Sequence, residues 1–265
     1  MRISTVVSTV VSTVVFLGTS VLGARTAETI TTFQIFGERC SGTNYLQELL
    51  ETNFVVEEAR GYGNKHFFGF QDLGALDTSR TLFVGIVRDP VDWLNSLYHH
   101  RYLLAPDLTR SVRDFLHRPF WSQQDGREIM KDRNMYTMAR YASVFQLRHT
   151  KLRYLVDDVP HLVAHYVLIR YEDLVTDFHA TMTMLRQRGL TPRDPGAFPV
   201  NSDLYWNAPP GHTKWAPGHV RSEISREVVD TAGFKEYQSY DVQLGYDKDG
   251  ADLVKKKPSV VYKQC

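Results

Sequence analysis

The chain has 265 residues, enough to bury one sizeable core, and its 31 Lys+Arg against 30 Asp+Glu leave a formal charge of +1. That balance excludes the global basic field that a nucleic-acid partner favours, so any anion site has to be local. Two cysteines, Cys40 and Cys265, exclude a disulfide framework and a cysteine-rich zinc module, and they are neutral between cytosol and a secretory lumen.

Residues 1–27 read as a leader. A Ser-Thr-Val-Val unit occurs three times behind Arg2, and no acidic residue appears before Glu28. Ser and Thr interrupt the apolar run and weaken it as a membrane span, whereas the basic start and the small Gly23 and Ala24 suit a secretory signal peptide or signal anchor. A disordered or β-prone leader is the alternative for so repetitive a segment. Residues 28–265 are expected to form one domain, without further repeats or a linker.

Phe33 to Phe36 is a short apolar strand, and Gly37-Glu-Arg-Cys-Ser-Gly42 is a glycine-bounded turn leading into a helix. Leu46, Leu49 and Leu50 recur at helical spacing, with Thr43 or Asn44 as cap and an end near Asn53. Backbone N–H groups in such a turn and at the helix start point at an anion, so the geometry is that of a phosphate cradle. Thr43-Asn44 stand where a nucleotide-triphosphate loop carries Lys-Ser/Thr, which favours a phosphate-like group over a γ-phosphate with Mg²⁺.

Leu82 to Val87 is a continuous apolar run suited to a parallel strand buried on both faces. Asp89-Pro90 then starts a helix with Asp as N-cap, and Trp93, Leu94 and Leu97 form its apolar side. Arg88 ends the strand, where ligands bind in open α/β sheets, and Ser96 lies about two turns into the helix. Arg88 is read either as a phosphate ligand or as a surface partner of Asp92.

Residues 113–124 read as a surface helix and loop, and 134–149 as a longer amphipathic helix carrying Met135, Met138, Tyr141, Ala142 and Phe145. Tyr166 to Arg170 is a third strand, followed by a helix running through Leu185 and ending near Gly189. Residues 191–218 are rich in Pro, Gly and Asn and form a long irregular segment. A short helix is expected to open at Ser222, with Glu223 and Glu227 in its first turns, and Lys255 to Lys257 read as a solvated tail. Alternation of strand, turn and helix places the chain in the α/β class with a parallel sheet.

With the turn and the Arg88…Ser96 element in that order, the chain resembles the sulfotransferase superfamily, whose donor is 3′-phosphoadenosine 5′-phosphosulfate. The resemblance runs from about Phe33 to Leu174. It implies a P-loop-type three-layer α/β/α domain with a central parallel β-sheet. By position, Ser41, Gly42, Thr43 and Asn44 would cradle the 5′ side of the donor, Arg88 and Ser96 would hold the 3′-phosphate, and Tyr171 would lie near the adenine.

Relatives carry Lys or Arg immediately before Ser-Gly-Thr, where this chain has Cys40, and Arg39 is expected to substitute. Cys40 itself reads as a small apolar filler or a reactive thiol. Lys65-His66 stands where relatives place a catalytic His with a nearby Lys, here without an intervening residue. His66 suits a general base and Lys65 a cation where charge develops. Lys214, in the 191–218 segment, reaches the 3′-phosphate or belongs to an exposed turn, and Trp215 covers the adenine or anchors that turn. His99, His100, His161 and His165 read as structural, and no metal is implied.

The resulting expectation is metal-independent, in-line sulfuryl transfer to a hydroxyl of a glycan, a protein tyrosine or a small molecule. Its partners are the nucleotide sulfate donor and that acceptor, with no nucleic acid. A P-loop kinase using ATP and a non-catalytic nucleotide- or carbohydrate-binding module are the alternatives. A working leader implies the secretory pathway, in the Golgi lumen, membrane-anchored or secreted; without one the protein is cytoplasmic.

Overall fold

The computed structural model describes residues 29–198 and 223–246. Four parallel strands form the central sheet: β1 (Thr32–Gly37), β2 (Glu57–Glu58), β3 (Thr81–Val87) and β6 (His165–Arg170), in the order β2-β1-β3-β6. A separate two-stranded antiparallel ribbon, β4 (Gln123–Gln124) with β5 (Arg127–Glu128), lies in the segment between β3 and β6.

Strand alternation sorts the core into two faces. Phe33 and Ile35 of β1, Leu82, Val84 and Ile86 of β3, and Val167 and Ile169 of β6 turn to one side. There they meet Leu46, Leu49 and Leu50 of α1 (Thr43–Asn53) and Met182 and Leu185 of α7 (Phe178–Gln187). Phe36, Phe83, Val87, Tyr166 and Leu168 turn to the other, against Leu152, Leu155 and Val159. Those come from α4 (Val144–Arg153), a π-helical turn over Tyr154–Asp158, and α5 (Val159–Leu162). A sheet apolar on both faces must be covered on both, which gives the three-layer α/β/α arrangement.

A third cluster extends beyond the sheet. Trp93, Leu94 and Leu97 of α2 (Pro90–His100) pack with Phe115 of α3 (Val112–His117), Phe145 of α4, Val229 of α8 (Arg226–Thr231) and Phe234. Residues 223–246, including α9 (Ser239–Gln243), are thereby part of the body of the fold. Asn95 fixes their start by donating to the Ile224 carbonyl at 2.8 Å and accepting from its N–H at 2.9 Å.

Several boundaries depart from the sequence expectation. α1 is capped by Gly42, at φ 98°, with no side-chain cap bond, rather than by Thr43 or Asn44. Residues 134–142 are turns, and the helix begins only after Ser143, whose hydroxyl accepts from the Gln146 N–H. Asn134 accepts from the Tyr136 N–H through its side chain, and such local bonds compete with helix formation. Met138 is accordingly 48% exposed instead of lining a core. The helix expected through Leu185 is divided into α6 (Tyr171–Thr176) and α7 by Asp177, at φ −133° and ψ 53°. α8 starts behind Ser225, while Ser222 lies outside the described residues. Among the described residues no helix is long and apolar enough to cross a membrane, and residues 1–27 fall outside them.

Candidate functional site

β1 is the point at which the sheet order reverses, with β2 on one side and β3 on the other. In register, Gly37 of β1 lies opposite Ile86, and Val87 of β3 opposite Arg170 of β6. The glycine-bounded turn, Arg88 and Tyr171 therefore all leave the sheet at one carboxyl edge. Open parallel sheets build their ligand crevices at this edge, beside the strand where the order reverses.

Close packing dictates the two glycines. A Cβ on Gly37 would lie 2.6 Å from Ile86 Cγ2 and 2.8 Å from Ser41 Oγ. One on Gly42 would lie 2.4 Å from the Tyr171 ring, at a φ that an L side chain rarely adopts. Three successive carbonyls of the turn are held by protein donors. Glu38 O accepts from the Ser41 hydroxyl at 2.7 Å and N–H at 3.2 Å, Arg39 O from Trp93 Nε1 at 2.9 Å, and Cys40 O from Arg88 Nη1 at 3.3 Å. The amides at the start of α1 receive no side-chain cap, which leaves a helix N-terminus suited to an anion.

The second motif docks directly on this turn. Besides its bond to Cys40, the Arg88 guanidinium lies 4.9 Å over the Tyr171 ring, and Tyr171 in turn sits against Gly42. Ser96 is hydrogen-bonded to the Cys40 side chain. Asp89 caps α2 by accepting from the Val91 and Asp92 N–H groups, and its own N–H donates to Glu172 Oε1 at 2.8 Å. Tyr246 donates to the other Glu172 oxygen at 2.7 Å. The start of α2 is thus braced from α6 and from the end of the described chain.

Lys65 and His66 reach the turn because their backbone is zipped to the end of β1. Gly37 N–H donates to Lys65 O at 3.0 Å, and the His66 ring contacts Gly37 O through Nδ1 at 3.0 Å. A carbonyl can only accept, so Nδ1 carries the proton and Nε2 keeps its lone pair. Burial pushes the His66 ring down to about 3, aided by the charges of Lys65, Lys151 and Arg39 and opposed by the Gly37 hydrogen bond. The ring is neutral throughout the physiological range. Lys65 Nζ donates to Asn44 Oδ1 at 2.6 Å and Gln47 Oε1 at 3.0 Å, so it stands at the first turn of α1. Burial lowers its pKa, against the raising effect of Glu58 and Glu51.

Two carried-over assignments need correction. Arg39 does not act as the loop cation: its guanidinium is buried, donating to Asp132 Oδ2 at 2.8 Å and to Tyr102 O at 3.0 Å between the rings of Phe67 and Phe120. Ser41 directs both hydroxyl and amide inward to Glu38 O and is fully buried, so neither donor is open to a ligand. Cys40, at φ 65°, packs partly buried against the Trp93 cluster, and burial raises its thiol pKa, in keeping with a filler. Lys214 and Trp215 lie outside the described residues.

The sequence reading missed an ionic floor beneath the turn. Arg148 of α4, fully buried and 5.0 Å from the Trp93 ring, donates to Glu38 Oε2 at 2.9 Å, Arg88 O at 2.7 Å and Asp241 Oδ1 at 2.6 Å. One guanidinium thereby joins the turn, the start of α2 and α9. Burial lifts the Glu38 carboxyl to about 7 against the pull of Arg148, Lys151 and Arg39. Lys151, one turn along α4, donates to His66 O at 2.8 Å and Asp132 Oδ1 at 3.0 Å. The available sequence signal was two cations three residues apart on the apolar side of a helix, among Phe145, Leu147 and Leu152.

No protein-family model matches the chain, and a search of curated proteins returns no match. A search of solved structures finds the mouse sulfotransferase SULT7A1, crystallised in complex with PAP, at 14% identity and a TM-score of 0.33. The alignment covers 60% of this chain and 57% of the mouse protein, so this chain spans less than two thirds of that neighbour's length.

Proposed function

We propose that the protein is a sulfotransferase moving a sulfuryl group from 3′-phosphoadenosine 5′-phosphosulfate to an acceptor hydroxyl. The observation that carries this reading is convergence: Arg88 and Ser96 of the second motif contact the same residue, Cys40, in the turn whose other flank holds Lys65 and His66. Side-chain fork, uncapped helix amides and a neutral imidazole meet at one sheet edge.

The donor set suits a nucleotide with anionic groups at both ends. The amides of Thr43 and Asn44 and the Gly42 approach receive the 5′ phosphosulfate, while Arg88, with Ser96 beside it, receives the 3′-phosphate. In the reaction the acceptor oxygen bonds to sulfur as the bond from sulfur to the 5′-phosphate oxygen breaks. His66 takes the acceptor proton on Nε2. Lys65 and the α1 amides stabilise the charge left on the departing phosphate oxygen. Proximity of the two substrates supplies much of the remaining rate.

The non-catalytic module would be favoured by Lys65 and His66 lying away from the turn, whereas both are bonded to its flanks. An ATP-dependent kinase is disfavoured by Thr43 at the position of the loop lysine. The test is thermal unfolding of the full chain with 3′-phosphoadenosine 5′-phosphate or with ATP and Mg²⁺. The bisphosphate is expected to raise Tm in a concentration-dependent manner and ATP much less. Equal protection by the two nucleotides overturns the donor assignment.

A further inference from the structure

We infer that Lys151 is a positioning residue for catalysis, holding the His66 peptide in register with the donor turn through Asp132 and Arg39. The inference rests on the role proposed for His66 and adds a residue remote in sequence that controls where that base sits.

Three groups hold His66. Asn64 Oδ1 accepts from its N–H at 2.8 Å, Gly37 O engages its ring, and Lys151 Nζ grips its carbonyl at 2.8 Å. Of these, only the Lys151 contact comes from the helical layer beneath the sheet. Lys151 is 2% exposed, with the Phe67 and Phe68 ring centroids 5.7 and 5.5 Å from its ammonium. An ammonium buried there is costly without a counter-charge, and Asp132, also buried, supplies it at 3.0 Å.

Asp132 is the junction. Its other oxygen accepts from Arg39 at 2.8 Å and from Ser122 Oγ at 2.5 Å. Arg39 belongs to the donor turn itself. The path from turn to base therefore runs Arg39, Asp132, Lys151, His66 carbonyl, with a direct hydrogen bond at every step.

Burial and the depressed His66 ring give the assignment a direct readout. The charged groups facing the ring are Lys65 from its own segment, Lys151 from α4 and Arg39 from the turn, with Gly37 O on Nδ1. The experiment follows the His66 ring by ¹⁵N NMR in the full-length wild type, Lys151→Met and Lys151→Leu, both of which leave Asp132 paired with Arg39. Loss of the signal in His66→Gln provides the assignment.

In the wild type the ring is expected to stay a single Nδ1–H tautomer without titrating between about pH 5 and 8. In both Lys151 variants the ring resonances are expected to shift, with the apparent pKa moving upward as one facing cation is lost. Turnover is expected to fall about ten- to a hundredfold while affinity for 3′-phosphoadenosine 5′-phosphate stays within about twofold. Lys151→Arg, which keeps a donor, is expected to restore part of the wild-type ring signal.

Unchanged His66 resonances in the folded variants overturn the positioning role, and so does failure of both to fold, which makes Lys151 a folding residue. If the wild type does not bind the bisphosphate, the sulfotransferase reading fails separately, since the ring measurement needs no donor.

Discussion

Arg39 and Arg88 both touch the turn between β1 and α1, yet they serve opposite sides of it. Arg88, also buried, lies on the side of Tyr171 and the α1 amides, the mouth, bonded to Cys40 O. Arg39 is drawn into the floor by Asp132, 93 residues further along the chain. The mouth carries the uncapped amides of α1, Asn44 and Lys65, with Arg88 and Ser96 buried beside the turn. Opposed charges matched to one another form the floor: Glu38 and Asp241 with Arg148, and Asp132 with Arg39 and Lys151. Residue type alone therefore does not tell a cation paired with a buried carboxylate from one bonded to backbone and rings; the tertiary partner decides.

The comparison is most severely tested by Arg148→Met. If the floor is structural, removing the guanidinium leaves Glu38 and Asp241 buried without their counter-charge, at an expected cost of about 3–5 kcal/mol in urea unfolding. Adding Glu38→Gln and Asp241→Asn should recover much of that loss. A small effect of Arg148→Met alone would dissolve the distinction between floor and mouth.

Arg88→Ala examines the other side. Loss of a charge-assisted contact is expected to weaken binding of 3′-phosphoadenosine 5′-phosphate by about 1.5–3 kcal/mol, roughly ten- to a hundredfold, by calorimetry. The same titration of Arg39→Met should show an effect only in proportion to lost stability. Equal losses of affinity from the two variants would place Arg39 at the mouth after all.

A further expected effect is a pH dependence. Burial raises the folded Glu38 carboxyl from 4.5 to about 7, so the folded state favours its protonated form. The stability this contributes is complete below about pH 4.5 and is lost as pH rises through about 7. His66 works in the opposite sense: with its folded pKa depressed to about 3, it contributes stability above about 6.5 that is lost as pH falls toward 3. Glu38→Gln mimics the protonated carboxyl and isolates the first contribution. Urea midpoints at a series of pH values should fall less steeply from pH 4.5 to 7 than those of the wild type. An unchanged slope would mean that Arg148 keeps Glu38 ionised throughout.

The mouth was more legible than the floor for a reason visible in particular residues. Gly37, Gly42 and Asp89-Pro90 act within a few residues of themselves: close approach, left-handed backbone and helix capping are local demands. The strand at 81–87 was equally readable, because burial on both faces requires an unbroken apolar run, and those at 32–37 and 165–170 showed as short apolar segments. Residues 134–142 misled because their spacing fits a helix, whereas the Asn134 side-chain turn and the bridge between Phe120 and Tyr141 leave no sequence period to find.

What the sequence determined by itself was the alternation of strands and helices, the two glycine limits of the turn and the order of its motifs, all set by short-range sterics and by burial period. Tertiary structure alone decided which cations are paired with buried carboxylates, where Lys65 and His66 meet the turn, and that α4 underlies both. Charges find their partners through space, and pairs such as Arg148 with Glu38, 110 residues apart, leave no periodic trace along the chain.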